Sequence, residues 1–109
     1  MIAKIIIKRS FVDGKTPQIV ALLNELRSRA MGQIGYISGE TLTKSGSPNS
    51  MVVIATWQSP EDWHKWRDSD ERNKFEAMLE TYQKGPTEYE ELLLGTPLSV
   101  PPPMPRTDA

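Results

Sequence analysis

The sequence contains no cysteine and only one histidine. Without thiols the chain can form no disulfides, thiolate metal sites or iron–sulfur clusters, and it has no cysteine nucleophile. A single imidazole, that of His64, is too few for the usual transition-metal centres, so we expect no bound metal. The lack of cysteine also fits a reducing compartment, and we expect the protein to be cytoplasmic.

An excess of one charge and a long apolar run are also missing. The 109 residues include 13 basic and 14 acidic side chains, with the basic ones scattered along the chain. This distribution argues against partners that are nucleic acids or membrane surfaces. No stretch approaches the roughly 20 apolar residues of a membrane span. Lys4 and Lys8 interrupt the N-terminal apolar run, so we interpret it as a strand and not as a signal sequence.

Three common catalytic motifs are absent as well: the serine-hydrolase elbow, the phosphate-binding loop and the dinucleotide-binding glycine motif. What the chain does have is an aromatic-rich stretch at residues 51–79. All three tryptophans (Trp57, Trp63 and Trp66) and His64 lie in it. His64 precedes Trp66 by two residues, about 200° around a helix, so we expect it on the solvent side. We expect Trp57 and Trp63 to pack the core.

Local patterns predict the order strand, helix, strand, strand, helical pair, strand. Thr16 is the predicted N-cap of the first helix, with Pro17 at its first position and Gly32 as a left-handed end. Ser59 and Ser69 are predicted to cap the helical pair. The predicted strands cover 2–11, 36–43, 51–57 and 87–94, with a hairpin loop over 44–50 and a helix stop at 84–86.

This order predicts an α+β fold, a ferredoxin-like split β-α-β sandwich with helices on one face of an antiparallel sheet. In a monomer the other face would be wet, and the strands would alternate apolar and polar residues. Residues 51–57 barely alternate, and Ile2 and Ile6 lie opposite Ile5 and Ile7. That pattern indicates burial on both faces, and we infer a homodimer that pairs two sheets. The alternative is that short central strands are simply rich in isoleucine and valine.

The predicted domain spans residues 1–95, and residues 96–109 form a Pro-rich tail. Leu98 and Val100 alternate before the prolines. We predict that they dock on the partner subunit as a short strap at the dimer interface. The alternative is a disordered tail, because prolines and small residues dominate after Val100.

Two stretches resemble the antibiotic biosynthesis monooxygenase family: GYISGETL at 35–42 and VIATWQSPEDW at 53–63, followed by Trp66 and SDER at 69–72. The resemblance covers about residues 1–95 and implies a dimeric α/β barrel made of two ferredoxin-like domains. Members that oxidise anthrones or quinols use no cofactor, because the deprotonated substrate itself reacts with oxygen. The resemblance therefore implies no cofactor here. It also implies a pocket between sheet and helices with Trp66 in its wall.

Haem-degrading relatives place a histidine ligand on the later helix and an asparagine on the first strand. In an ungapped comparison those positions are Glu76 and Ile7 here. This departure argues against haem oxygenation.

Further candidate site residues come from the second strand and the later helix. Strand alternation puts Tyr36, Ser38, Glu40 and Leu42 on one face. If that face meets the helices, Tyr36, Ser38 and Glu40 become polar groups of a substrate pocket. If it meets the partner subunit, Glu40 pairs with a partner Arg or Lys, which is the role we favour for it. Residues 72, 73 and 76 are expected on a solvated helix surface. Asn73 or Arg72 is a weaker candidate for the pocket mouth.

The sequence leaves two functions open. The first is a cofactor-independent monooxygenase acting on a small aromatic or quinol-type substrate. The second is a non-catalytic dimeric module of the same fold, binding a small ligand or serving a stress-related role. The absence of a recognisable acid–base pair favours the second, and the resemblance favours the first.

Overall fold

The computed structural model describes residues 1–95, which form four strands and three helices. The elements are β1 (Ala3–Ser10), α1 (Thr16–Met31), β2 (Tyr36–Lys44), β3 (Ser47–Trp57), α2 (Pro60–Arg67), α3 (Asp70–Glu80) and β4 (Glu88–Leu93). The strands form one antiparallel sheet in the order β2-β3-β1-β4. The prediction of an α+β, ferredoxin-like fold is confirmed. No helix in residues 1–95 is both long and apolar enough to cross a bilayer.

The core lies between the helices and one face of the sheet. Alternation along β1 turns Ala3, Ile5 and Ile7 to that face, and all three are buried. Ile19 and Leu26 of α1 pack onto the same cluster. Burying one such aliphatic side chain contributes about 1.5–3 kcal/mol. The apolar stripe of the first helix therefore packs as its spacing predicts.

The β2–β3 hairpin is tighter than the sequence predicts. The expected loop over 44–50 is wrong, because the turn consists of Ser45 and Gly46 alone and β3 begins at Ser47. Gly46 has a φ of 78°, a conformation that glycine adopts without a steric penalty. The backbone N–H of Phe11 also donates to the Asn49 carbonyl at 2.9 Å. Polar residues here extend a strand because a hairpin end needs no apolar side chains.

Of the four predicted helix-end residues, two are wrong and two are confirmed. Thr16 is the first residue of α1 and not its cap, since the Ile19 N–H already donates to the Lys15 carbonyl at 3.0 Å. Gly32 follows the helix at a φ of −86°, in the right-handed region. The predicted caps of the helical pair are confirmed, because Ser59 and Ser69 each accept a backbone N–H at 3.1 Å.

The chain between α3 and β4 pairs with the end of β1. α3 ends at Glu80, four residues before the predicted stop at 84–86. The N–H of Val12 donates to the Tyr82 carbonyl, and the N–H of Lys84 donates to the Ser10 carbonyl, both at 2.8 Å. These bonds satisfy backbone groups that a longer helix would otherwise have used.

The other face of the sheet has no element over it within residues 1–95; we call it the open face. Cross-strand register aligns Glu40, Ile54, Ile6 and Glu90 in one row across all four strands. The isoleucines in the middle of that row are half-buried, and Glu40 at its edge is exposed. Leu42 is 46% exposed on the same face. The apolar side chains that suggested burial on both faces thus lie uncovered in the single chain.

Candidate functional site

A cavity of about 290 Å³ lies between the helices and the covered face of the sheet. All three helices and the strands β1, β2 and β3 contribute to it. Its apolar lining residues are Ile7, Val20, Leu23, Leu26, Ala30, Met51, Val53, Ala55, Trp57, Trp63 and Trp66. Gly39 and the polar residues Arg9, Asn24, Arg27, Tyr36, Thr41 and Arg72 complete the lining. This composition is typical of a small-molecule site, apolar with a few polar groups.

Aromatic side chains form one wall of the cavity. The Trp57 ring meets Tyr36 edge-on at 5.4 Å between centroids, and Trp63 at 6.0 Å with the planes tilted by 54°. Trp63 and Trp66 are three residues apart on α2, so both lie on the helix face toward the sheet. All three tryptophans are at most 4% exposed. The rings of Tyr36, Trp57 and Trp63 therefore pack as one aromatic cluster beside the cavity.

Three buried N–H donors on the cavity residues have no acceptor within residues 1–95. They are Nε of Arg9 and Nε1 of both Trp57 and Trp63. Leaving a buried donor unpaired costs about 1–3 kcal/mol. All three residues line the cavity through other atoms, since these nitrogens themselves have almost no accessible surface.

A buried ion cluster adjoins these donors. Arg9 and Arg72 both donate to Oε1 of Glu76, and Arg72 does so at 3.1 Å. Arg72 also donates to the Tyr89 hydroxyl at 2.8 Å, and Thr87 donates to the second Glu76 oxygen at 3.3 Å. Two guanidinium groups thus share one carboxylate. One positive charge is left in excess beside the cavity.

The burial of this cluster corrects the expectation of a solvated helix surface for residues 72 and 76. Arg72 is only 3% exposed and Glu76 only 6%. Their i, i+4 spacing puts both on the inner side of α3, where they meet Arg9 from β1. Asn73 alone is exposed, and it is not among the residues that line the cavity.

The candidates on β2 separate at a β-bulge. Tyr36 pairs with Trp57 and Ser38 pairs with Thr56, so one extra residue, Ile37, interrupts the alternation. Tyr36 therefore faces the helices and lines the cavity together with Trp66. Ser38 is exposed on the open face with Glu40. Strand alternation alone predicted one shared face, and it is wrong here.

Other predicted residues lie away from the cavity. The His64 side chain is 43% exposed, as expected, and pairs with Glu91 at 2.7 Å. Arg67 hydrogen-bonds Asp68 on the same surface, which lowers the pKa of the Asp68 carboxyl and raises the pKa of Arg67. The two tail candidates, residues 98 and 100, lie outside the described residues.

Sequence reasoning missed several residues that line the cavity. Arg9 has a visible signal, because it shares strand parity with Ile5 and Ile7 and so must enter the core with a partner. Trp57 and Trp63 do pack the core, as expected, but their inner edges also border the cavity. Arg27 gives no such signal; it donates to the Gly39 carbonyl at 3.0 Å.

The residues present do not fit a haem group. The position expected to hold an iron-ligating histidine is Glu76, whose carboxylate is already bound by two guanidinium groups. Ile7, at the expected asparagine position, is a core residue that is 6% exposed. The lining residues include no histidine. Among residues 1–95, no three His, Cys, Asp or Glu side chains are grouped to hold a metal ion.

Known structures share this fold at low sequence identity. A conserved protein of Methanosarcina mazei superimposes with a TM-score of 0.79 at 14% identity, over 84% of this chain and 91% of that one. A point mutant of SnoaB, a cofactor-independent oxygenase from Streptomyces nogalater, superimposes with a TM-score of 0.77 at 12% identity, over 90% of this chain and 97% of that one. Rv0793 from Mycobacterium tuberculosis superimposes with a TM-score of 0.75 at 14% identity, over 85% of this chain and 94% of that one.

Sequence comparison assigns the family. No curated protein matches the chain. The family model described as antibiotic biosynthesis monooxygenase matches residues 2–78, which is most of the 109-residue chain. On that match, the chain belongs to the antibiotic biosynthesis monooxygenase family.

Proposed function

We propose that this protein is a cofactor-independent monooxygenase acting on a small aromatic or quinol-type substrate. The observation that carries the proposal is the cavity, which three tryptophans and Tyr36 line together with a few polar groups. The family match supports the reaction type. The fold shared with SnoaB, a cofactor-independent oxygenase, is consistent with it.

The proposed reaction inserts one oxygen atom of O₂ into the substrate. The substrate loses a proton, its carbanion attacks O₂, and the resulting peroxide breaks its O–O bond. On a substrate with a CH₂ group at the reacting carbon, such as an anthrone, one oxygen atom stays as the new carbonyl, and the other leaves as water with the two hydrogens of that carbon. The chain contributes by stacking the ring on Trp66, Trp57 and Tyr36, by excluding water, and by stabilising charge on the substrate oxygen.

A second candidate function rests on a specific observation. None of the residues that line the cavity is an aspartate, a glutamate or a histidine. A protein that only binds a small aromatic ligand needs no such group, whereas proton abstraction inside the cavity normally does. A non-catalytic module that binds a small ligand therefore stays the alternative.

Oxygen uptake with a panel of quinols and anthrones separates the two functions. With an anthrone, a monooxygenase should consume one O₂ per new carbonyl and place one labelled oxygen atom in the product when ¹⁸O₂ is supplied. Trp66→Phe should lower the rate about tenfold by misplacing the ring. Tyr82→Phe changes an aromatic residue outside the cavity lining and should leave the rate unchanged. Binding of panel members without oxygen uptake would favour the binding module.

We also propose that the open face pairs with a second copy of the chain, giving the dimeric barrel typical of the family. Exposed apolar patches of this kind mark association surfaces, and Leu42 and Leu92 are 46% and 48% exposed there. Glu40 lies at the edge of this face, where it would meet an Arg or Lys of the partner subunit. Light scattering at micromolar concentration should give the mass of a dimer; a monomer mass would refute the proposal.

The tail is proposed to strengthen this dimer through Leu98 and Val100. A chain truncated after residue 95 should then dissociate at higher concentration than the full chain. The double variant Leu98→Ser/Val100→Ser should have the same effect. Equal dimer dissociation constants for the full, truncated and doubly substituted chains would refute the proposed role of the tail.

A further inference from the structure

We propose that Arg27 is the gate of the cavity. Its guanidinium group closes the mouth by a hydrogen bond to the backbone carbonyl of Gly39 on the opposite side, and ligands enter when that bond breaks. The inference rests on the proposed function, since it concerns access to the same ligand site. It adds the place where the cavity opens and the residue that controls the rates of entry and release.

The exposure of the lining residues locates the mouth. The lining residues that come from β1, β3, α2 and α3 are buried or half-buried. The exposed ones lie on two elements: Val20, Asn24 and Arg27 on α1, and Thr41 on β2. β2 is the outermost strand on its side of the sheet, so no further strand of residues 1–95 lies beyond it. The cavity therefore opens between α1 and β2.

Arg27 joins the two sides of that opening. Its Nη2 donates to the Gly39 carbonyl at 3.0 Å, and both residues belong to the cavity lining. No other hydrogen bond links α1 to β2 within residues 1–95. An edge strand such as β2 leaves part of its backbone without a strand partner, so a carbonyl is free to accept from a side chain. One side chain and one acceptor thus close the mouth.

The bond can also open easily. Arg29, the next arginine of α1, is held by Glu25 at 3.1 Å and by Glu71 at 3.5 Å. Arg27 forms no ion pair with any residue in the part of the chain that the structure describes. An exposed side chain held by a single hydrogen bond changes rotamer within nanoseconds. Because this is faster than most ligands arrive, the rate of entry should follow the fraction of time that the bond is broken.

Such a gate changes rates and not affinity. A hydrogen bond that forms equally over the empty and the filled cavity favours neither state, so it leaves the dissociation constant of the ligand unchanged. Arg27→Ala should therefore raise the association and dissociation rate constants by the same factor, about threefold for a bond of ordinary strength. A residue that contacts the ligand would change the dissociation constant instead. The closed gate also limits the entry of water, which the proposed carbanion chemistry must exclude.

Fluorescence quenching measures access to the cavity without a ligand. All three tryptophans of the chain line the cavity and are at most 4% exposed, so their emission reports on molecules that enter it. Acrylamide is a small quencher without charge, so the positive charge of the arginine does not steer it. Time-resolved quenching by acrylamide should be about threefold faster in Arg27→Ala than in the unaltered chain. Arg29→Ala changes an exposed arginine of α1 outside the lining and should leave the quenching rate unchanged.

Oxygen quenching and urea unfolding distinguish a gate from a structural support. Molecular oxygen diffuses through packed protein without an open mouth, so it should quench the unaltered chain and both variants at the same rate. Faster oxygen quenching in Arg27→Ala, together with unfolding at lower urea, would mean that the variant loosens the core, and this would overturn the inference. Unchanged acrylamide quenching in Arg27→Ala, or an equal increase in Arg29→Ala, would overturn it as well.

Stopped-flow binding of a quinol or anthrone separates this inference from the proposed reaction. For any panel member that binds, both rate constants should rise together in Arg27→Ala; a changed dissociation constant would make Arg27 a ligand contact and overturn the gate. Faster acrylamide quenching, with no binding or oxygen uptake from any quinol or anthrone, would support the gate and count against the monooxygenase. The quenching result thus decides on the gate even where the proposed function fails.

Discussion

The two faces of the sheet carry similar aliphatic side chains but differ in what covers them. On the covered face, Ile5 and Ile7 of β1 are 0% and 6% exposed beneath the helices. On the open face, Ile6 between them is only half-buried, and Leu42 is 46% exposed. Apolar content therefore does not show by itself that a face is buried within the same chain. One face forms the core of the chain, and the other leaves its aliphatic side chains partly exposed within residues 1–95.

The two faces also differ in how far their charged side chains are buried. The covered face encloses Arg9 and Arg72 around Glu76, where each group is less than a tenth exposed and depends on its partners. The open face keeps its charges near water, with Glu40 exposed at an edge and Lys8 exposed on the central strand. A charged group that is buried near a ligand site needs a counterion. A charged group on an association surface can stay solvated in the free chain and lose its water when the partner binds. The proposed ligand site on one face and the proposed dimer interface on the other both require this contrast.

The largest expected effect is on the open face. Ile54→Asp removes an aliphatic side chain worth about 2 kcal/mol and puts a carboxylate into the proposed interface. Two-fold symmetry counts the change twice, so the dimer should lose at least about 4 kcal/mol, or roughly a thousandfold in its dissociation constant. Sedimentation equilibrium measures this directly.

Ile34→Asp is the matched control for that experiment. It makes the same chemical change at a loop residue that is 87% exposed. It should leave the dissociation constant within about twofold, as surface changes usually do. Equal behaviour of the two variants would mean that the open face is not the interface.

On the covered face, Glu76→Ala should have the next largest effect. It leaves the guanidinium groups of Arg9 and Arg72 buried without a counterion, which costs about 3–5 kcal/mol. Urea unfolding at fixed protein concentration should show this loss. Glu71→Ala, on the exposed side of α3, should change stability by less than about 0.5 kcal/mol. A small effect of Glu76→Ala would mean that the cluster is much better hydrated than its burial indicates.

Gly39→Ala tests the cavity itself. An added Cβ would lie 2.7 Å from the Tyr36 hydroxyl, so this ring, which lines the cavity, must shift. Ligand binding should weaken about tenfold, or 1.4 kcal/mol, while stability changes little. Gly85→Ala, which would meet no heavy atom within 4 Å, is the control. Calorimetry with a bound quinol measures both variants, and unchanged affinity in Gly39→Ala would place the ligand elsewhere.

The fold was largely predictable from the sequence because its elements are encoded locally. The apolar stripe of α1 and the serine caps at Ser59 and Ser69 depend on near neighbours, and the structure confirms them. The order of the elements along the chain is also as predicted. The extent of the turn within the polar stretch 44–50 was less predictable, since the ends of two paired strands and a long loop can have the same polar composition.

The site was less predictable because it depends on residues far apart in the chain. Arg9 and Glu76 are separated by 67 positions yet form one ion pair. The bulge at Ile37 moves Tyr36 and Ser38 to opposite faces, and it follows from the pairing with β3. Neither fact is visible in local periodicity. Trp66 could be placed at the cavity from the family resemblance, whereas the partner-free donors of Trp57 and Trp63 needed the three-dimensional structure.

The variant with the smallest expected effect tests whether stability on the covered face and association on the open face are independent. Ser59→Ala removes the oxygen that accepts the Asp62 N–H at 3.1 Å and caps α2. Losing such a cap costs about 1 kcal/mol. Because α2 packs on the covered face, the variant should unfold at lower urea and should loosen the wall formed by Trp63 and Trp66.

The dissociation constant of the dimer should stay unchanged in Ser59→Ala, since distant sites that share no partners contribute additively. Ser28→Ala, an exposed serine on α1, is the control and should alter neither property. If Ser59→Ala weakens the dimer as well, the sheet transmits strain between its faces, and occupancy of the cavity should then shift the monomer–dimer equilibrium. If it does not, the covered and open faces are separate energetic units, and ligand binding and association can be changed one at a time.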